Sequence, residues 1–182
     1  MRSFQKVLAV CLPLICQSLD ANINLDSLGY RVHFQQALEQ YNQARFGLAE
    51  DYFHAILTQD KDYADPVAQL MLAKSQYHQG EWKQALRTCK SYLTSYPDSP
   101  YENHAQILMG DILLVQGQVT SAFERYLRIR TLAVDSIQLQ GIDERLLNCI
   151  ANDIDPHRLE GLLFQEQDKP NRAILNLTRA YA

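Results

Sequence analysis

Between Val67 and Pro97 the apolar positions follow two helical rhythms split by a glycine. In the first, Leu72, Ala73 and Tyr77 recur at helical spacing. In the second, Trp82, Ala85, Leu86, Cys89, Tyr92 and Leu93 form a stripe at i, i+3, i+4 and i+7, the period of an amphipathic helix. Gly80 stands between them, and a residue without a Cβ can leave a helix in the left-handed conformation at no steric cost. Pro97 lies just past the second stripe. The stretch predicts two helices folded back on each other. Ala73 and Ala85 are small enough for close backbone approach, with Trp82 and Tyr92 expected to fill the space around them.

The pattern then returns. Ala73 becomes Gly110, Gly80 becomes Gly117, Ala85 becomes Ala122 and Cys89 becomes Tyr126, all at a constant shift of 37. Two small-residue positions and a turn glycine moving together mark a repeat. A weaker earlier copy carries Ala37, Phe46, Ala49 and Phe53, shifted by 36. A later copy is expected from Gly161 and Ala173, at the spacing of 12 that also separates Ala73 from Ala85.

Reading the chain in order gives helices near 30–44 and 46–58. The next pair opens at Asp65-Pro66, a capping residue followed by proline at the first helical position. The third pair is expected to open the same way at Ser99-Pro100. Residues 137–151 form one amphipathic helix with Leu139, Ile142, Leu146, Leu147 and Ile150, and Asp155-Pro156 opens another. Two helix parities fit this last region. Either residues 136–152 are an extra helix before a last repeat at 155–182, or they are themselves a first helix. The apolar face of Ala173, Leu175, Leu177 and Ala180 runs to the last residue. Repeat arrays normally end on a helix with a polar outer face. A further domain, a partner or self-association is therefore expected at that end.

These small residues, turn glycines and the link Tyr96-Pro97-Asp98-Ser99-Pro100-Tyr101 resemble the tetratricopeptide repeat. The usual period there is about 34. The longer period here is similar to the bacterial envelope branch of that family, which includes BamD-type outer-membrane assembly lipoproteins and YbgF/CpoB-type periplasmic proteins of the Tol-Pal system. The resemblance covers residues 30–182, with repeats near 30–63, 64–97 and 98–134. It implies an all-α fold, a right-handed superhelix of antiparallel helix pairs. It also implies a scaffold for protein interaction in envelope assembly or cell division. The alternative is the N-terminal module of a larger periplasmic solute-binding protein or regulator of cell-wall synthesis.

The start of the chain changes the picture. Arg2 and Lys6 precede an apolar run from Val7 to Cys16, too short to span a membrane as a mature helix. Residues 1–21 are read as a secretory signal and 22–29 as a polar lead-in, which places the mature chain in the periplasm. Neither Cys11 nor Cys16 follows a small residue, so a lipid anchor is not expected. Cys89 and Cys149 remain after cleavage. Export makes a bond between them chemically possible, but they lie in different repeats and the bond demands strict geometry.

Composition excludes several classes. The chain is 47% hydrophobic and 21% charged, which argues against disorder. Its formal net charge is −4 with no Lys/Arg run, so nucleic acid is not an expected partner. The five histidines show no metal-ligating spacing, and no phosphate loop or nucleophile motif occurs. No cofactor, metal or catalytic activity is expected.

What remains is a surface. In the resembling family the first helices line a concave groove. By register the groove positions are Phe34, Leu38 and Tyr41, then Leu70, Lys74, Tyr77 and His78, then His104, Ile107, Asp111 and Leu114. This mixture suits a peptide from another envelope protein, with Lys74, His78 and Asp111 available to orient it. The same apolar positions would serve equally well to bury against neighbouring helices. The expected packing residues are Ala37, Ala49, Ala73, Gly80, Trp82, Ala85, Gly110, Gly117, Ala122, Tyr126, Gly161 and Ala173.

Overall fold

In the computed structural model the described residues are 27–59, 65–132, 136–150, 157, 160–162 and 171–176. The expected signal segment lies outside them. Among the described residues the helices that can be followed from end to end are α1 (Ser27–Asn42), α2 (Phe46–Gln59), α3 (Pro66–His78), α4 (Trp82–Ser95), α5 (Glu102–Val115), α6 (Val119–Arg130) and α7 (Ser136–Ile150). Each packs on its neighbours in sequence, and α3 also touches α5. The result is a solenoid of antiparallel helix pairs. α1 takes in Ser27 to Gly29, so the end of the expected lead-in is helical.

The turn inside each pair is the same structure three times. Gly80 and Gly117 have φ of 80° and 75°, and Ala44 stands at the equivalent place with φ of 57°. In each case the next residue donates back across the turn: Arg45 to the Gln40 carbonyl, Glu81 to Gln76 and Gln118 to Leu113, all at 2.9 Å. These are the bonds of a helix ending on a left-handed residue. Glycine takes that conformation freely, whereas Ala44 holds it at a cost of about 1–2 kcal/mol.

Helix entry differs between pairs. The Asp65 carboxylate accepts from the Val67 amide at 2.7 Å and the Ala68 amide at 3.2 Å, with Pro66 first in the helix. The expected second copy of this device is not formed. Ser99 Oγ accepts from the Tyr101 amide at 3.2 Å and bonds the Tyr92 hydroxyl at 2.6 Å, and α5 starts at Glu102. The hydroxyl is thus used to close a turn and to satisfy a buried phenol.

The small residues lie inside. Ala37, Ala49, Ala73, Ala85 and Ala122 are fully buried, as are Phe53, Cys89, Tyr92 and Tyr126. Gly110 faces the Tyr126 ring. Trp82 does not fill space beside Ala85: it is 37% exposed at the first position of α4. Gly161 and Ala173 are also exposed, and open space surrounds Gly161. Their spacing of 12 therefore does not bring two small residues into contact. Instead Asn171 and Leu175 reach inward: the Asn171 amide donates to the Leu127 carbonyl at 3.2 Å, and Leu175 joins the core formed by α6 and α7. Cys89 and Cys149 are free, buried thiols in separate clusters, and burial pushes each pKa up to about 12.

A polar seam locks the first pair to the second. The Glu50 carboxylate accepts from Gln76 at 3.0 Å, from Gln84 at 3.2 Å and from Gln79. Buried Gln76 in turn accepts from Thr88 at 2.8 Å. One acid on α2 thereby ties α3 to α4 and satisfies a side chain that would be costly to bury alone.

Candidate peptide-binding groove

The first helices of the pairs share one concave surface. Residues on α3 at 74, 77 and 78 and on α5 at 104, 107, 111 and 114 are spaced by three or four, so each set lies on one helix face. Lys74, Tyr77 and His78 face the same cavity as His104, Ile107, Asp111 and Leu114, and Tyr41 closes it from α1. The cavity volume is about 1010 Å³.

Three expected groove residues are elsewhere. Leu70 is 4% exposed and packs with Tyr92 and Ala105. Phe34 meets Phe53 edge-on at 5.8 Å and belongs to the first core. Leu38 packs against that core too, and its remaining surface lines a separate hollow along α1 with Arg31 and Gln35. α3 is covered by α2, α4 and α5, which draws Leu70 into a core, whereas Phe34 and Leu38 sit on the side of α1 that packs against α2.

The far wall comes from α7, whose residues were not among the expected groove positions. Ile137, Gln138, Gly141, Arg145 and Asn148 line the cavity. α7 therefore stands where a first helix stands. One sequence signal pointed there: Gly141 and Arg145 are four apart on a helix whose apolar stripe lies on the other side.

Asp111 is committed inside the protein. Its carboxylate accepts Arg145 Nε at 2.7 Å and Nη2 at 3.0 Å, a two-pronged fork. It also accepts the Tyr126 hydroxyl at 2.7 Å, and Arg145 Nη1 donates to the Gly141 carbonyl at 3.0 Å. Asp111 is thus not free to orient a ligand, as the sequence pattern suggested. The hydrogen bond to Asp111 raises the Arg145 pKa above its usual range. Burial, followed by the Asp111 charge, raises those of Tyr126 and Tyr77.

His78 is held by rings. It stacks on Phe46 at 4.6 Å and meets Tyr77 and Tyr41 edge-on at 5.3 and 5.7 Å. Lys74 is the charged lining residue that has no ion pair among the described residues, since Asp111 and Arg145 pair with each other. It is half-buried, its pKa is lowered by that burial, and among the described residues it has no hydrogen bond or ion pair. Among the described residues no group of three or more His, Cys, Asp or Glu side chains is placed to hold a metal ion. No described helix is long and apolar enough to cross a membrane.

The likeness to known proteins follows the same lines. PcrH from Pseudomonas aeruginosa, a solved structure, is similar with a TM-score of 0.60 at 16% identity, covering 69% of this chain and 95% of that one. At that identity the likeness speaks for the fold. No curated protein matches the chain. The family model described as "Tetratricopeptide repeat-like domain" matches residues 15–154. With most of the chain matched and the helix-pair turn built three times over, the chain belongs to the tetratricopeptide repeat-like family.

Proposed function

We propose that this protein is an exported scaffold that holds a segment of a partner protein in its concave groove, within bacterial envelope assembly or division machinery. The observation that carries the binding reading is the single cavity shared by α1, α3, α5 and α7. Stacked repeats offer such continuous concave surfaces for recognition. Tyr77, Ile107 and Leu114 supply apolar contact, and Lys74 supplies charge. Support for export is the basic-then-apolar pattern from Arg2 to Cys16, and support for an envelope role is the resemblance in repeat period and linker.

A bacterial host that secretes the protein tests both parts. The periplasmic product should begin near Leu19 or Asn22 by intact mass; a soluble periplasmic product that retains Met1 contradicts export. In pull-downs from envelope extract, Tyr77→Ala should recover far less of the partner than wild type. Truncating an aromatic anchor typically costs about 2 kcal/mol, on the order of 30-fold in affinity. Lys83→Ala, on the exposed outer face of α4, should recover as much as wild type. Equal recovery by all three proteins, each shown to be folded, would remove the groove from the function.

A further inference from the structure

We propose that the partner segment carries an acidic side chain whose carboxylate sits on the Lys74 ammonium, flanked by apolar residues that contact Tyr77 and Ile107. This rests on the groove reading and adds the chemistry of the occupant. Among the described residues, three formal charges line the cavity: Lys74, Arg145 and Asp111. Two of them cancel, because the Asp111 carboxylate is closed on the Arg145 fork at 2.7 and 3.0 Å. Lys74 is left as the unopposed charge among the described lining residues.

The chain as a whole carries −4, so a positive groove is a local feature and not part of a general basic field. An ammonium that has lost part of its water without gaining a partner is poorly compensated, and burial accordingly lowers the Lys74 pKa. A carboxylate docking there would restore the missing interaction as a charge-assisted hydrogen bond. The site is far larger than a free anion requires, at about 1010 Å³, and much of its wall is apolar. A peptide residue with an acid tip and apolar neighbours fits both facts. One unopposed cation is too few to track a nucleic-acid backbone.

The test is an array of capped nine-residue peptides, each with Glu, Gln or Lys at the centre and varied apolar flanks. It is probed with wild type, Lys74→Gln, Lys74→Arg and Tyr77→Ala, all matched for helicity and melting temperature. Wild type should favour Glu over Gln at the centre by about tenfold, and Lys over neither. Lys74→Gln should erase that preference, whereas Lys74→Arg should keep most of it. The preference should shrink as salt rises from about 0.05 to 0.5 M. Tyr77→Ala should weaken every bound peptide while keeping the order of Glu over Gln.

If Tyr77→Ala weakens binding but Lys74→Gln leaves the Glu preference intact, the proposal fails and the groove reading stands. If neither substitution matters, or no peptide binds, both fail. If millimolar phosphate or acetate displaces the peptides from wild type as effectively as a Glu peptide does, the site takes a free anion and the proposal is overturned.

Discussion

Gly110→Ala should unfold at markedly lower urea than wild type, with a loss of about 2 kcal/mol or more. In most helix interiors the same change stabilises by up to about 1 kcal/mol, because alanine is the better helix former. Here the sign reverses for a geometric reason. A Cβ on Gly110 would stand 2.4 Å from Tyr126 Cε1 and 2.8 Å from Cζ. The ring has nowhere to go: Tyr126 is fully buried and its hydroxyl is bonded to Asp111. The neighbouring repeat supplies the remedy, since Ala73 shares its core cluster with Cys89, the counterpart of Tyr126. Tyr126→Cys alone should cost about 3–5 kcal/mol through the void it leaves. The double variant rebuilds the Ala73–Cys89 pairing and should be more stable than the sum of the single losses by about 1 kcal/mol or more. Strict additivity would mean that the glycine is not there for the ring.

Asp111→Ala should be the second large loss, about 2 kcal/mol, and should loosen α7. The carboxylate satisfies three donors from two helices, so its removal leaves the Arg145 fork and the Tyr126 hydroxyl without their acceptor. Breaking a buried pair from one side costs about 3–5 kcal/mol. The Arg145 side chain is 36% exposed and that of Asp111 18%, so water recovers part of it. The Arg130–Asp143 pair is the internal control. Its closest approach is 2.6 Å, but the Asp143 side chain is 38% exposed and bonds Arg130 alone among the contacts seen. Asp143→Ala should cost below about 1 kcal/mol. Chemical denaturation separates the two, and hydrogen exchange along α7 should speed up in Asp111→Ala only. Equal losses would show that the network adds nothing beyond a surface ion pair.

Much of the fold was legible because its rules are local. The turn glycines and the buried alanines recur at a fixed shift, and packing demands small residues at those places wherever the pattern falls. Ala44 hid one turn, since its left-handed conformation is imposed by the packed pair and not by its own preference. Ser99-Pro100 looked like Asp65-Pro66 but closes a turn, because the buried Tyr92 hydroxyl competes for the same oxygen. The spacing of Gly161 and Ala173 matched a repeat by number alone, since both residues are exposed.

The groove was legible only in part. Lys74, Tyr77, His78, His104 and Ile107 follow from helix face and repeat register. Leu70 shares that register yet is buried, because α3 is covered from both flanks. Asp111 looked available, but its partner Arg145 lies 34 positions away, beyond any local pattern. The place of α7 also stayed open: a stripe such as Ile142 and Leu146 shows which face is buried and not which helix of a pair it belongs to. Leu147, read as part of that stripe, is 57% exposed.

The central claim is that partners bind on the concave face, and the most direct measurement is a titration of isotope-labelled protein followed by amide chemical shifts. The ligand is the peptide that wild type holds most tightly on the array. Shifts should concentrate on α3 and α5 around Lys74, Tyr77, His104 and Ile107, extend to Tyr41 and to α7 near Gly141, and spare the outer faces of α4 and α6. Shifts gathered instead around Lys83 and Arg87 on α4, or Ser121 and Arg128 on α6, with the groove unmoved, would contradict the account.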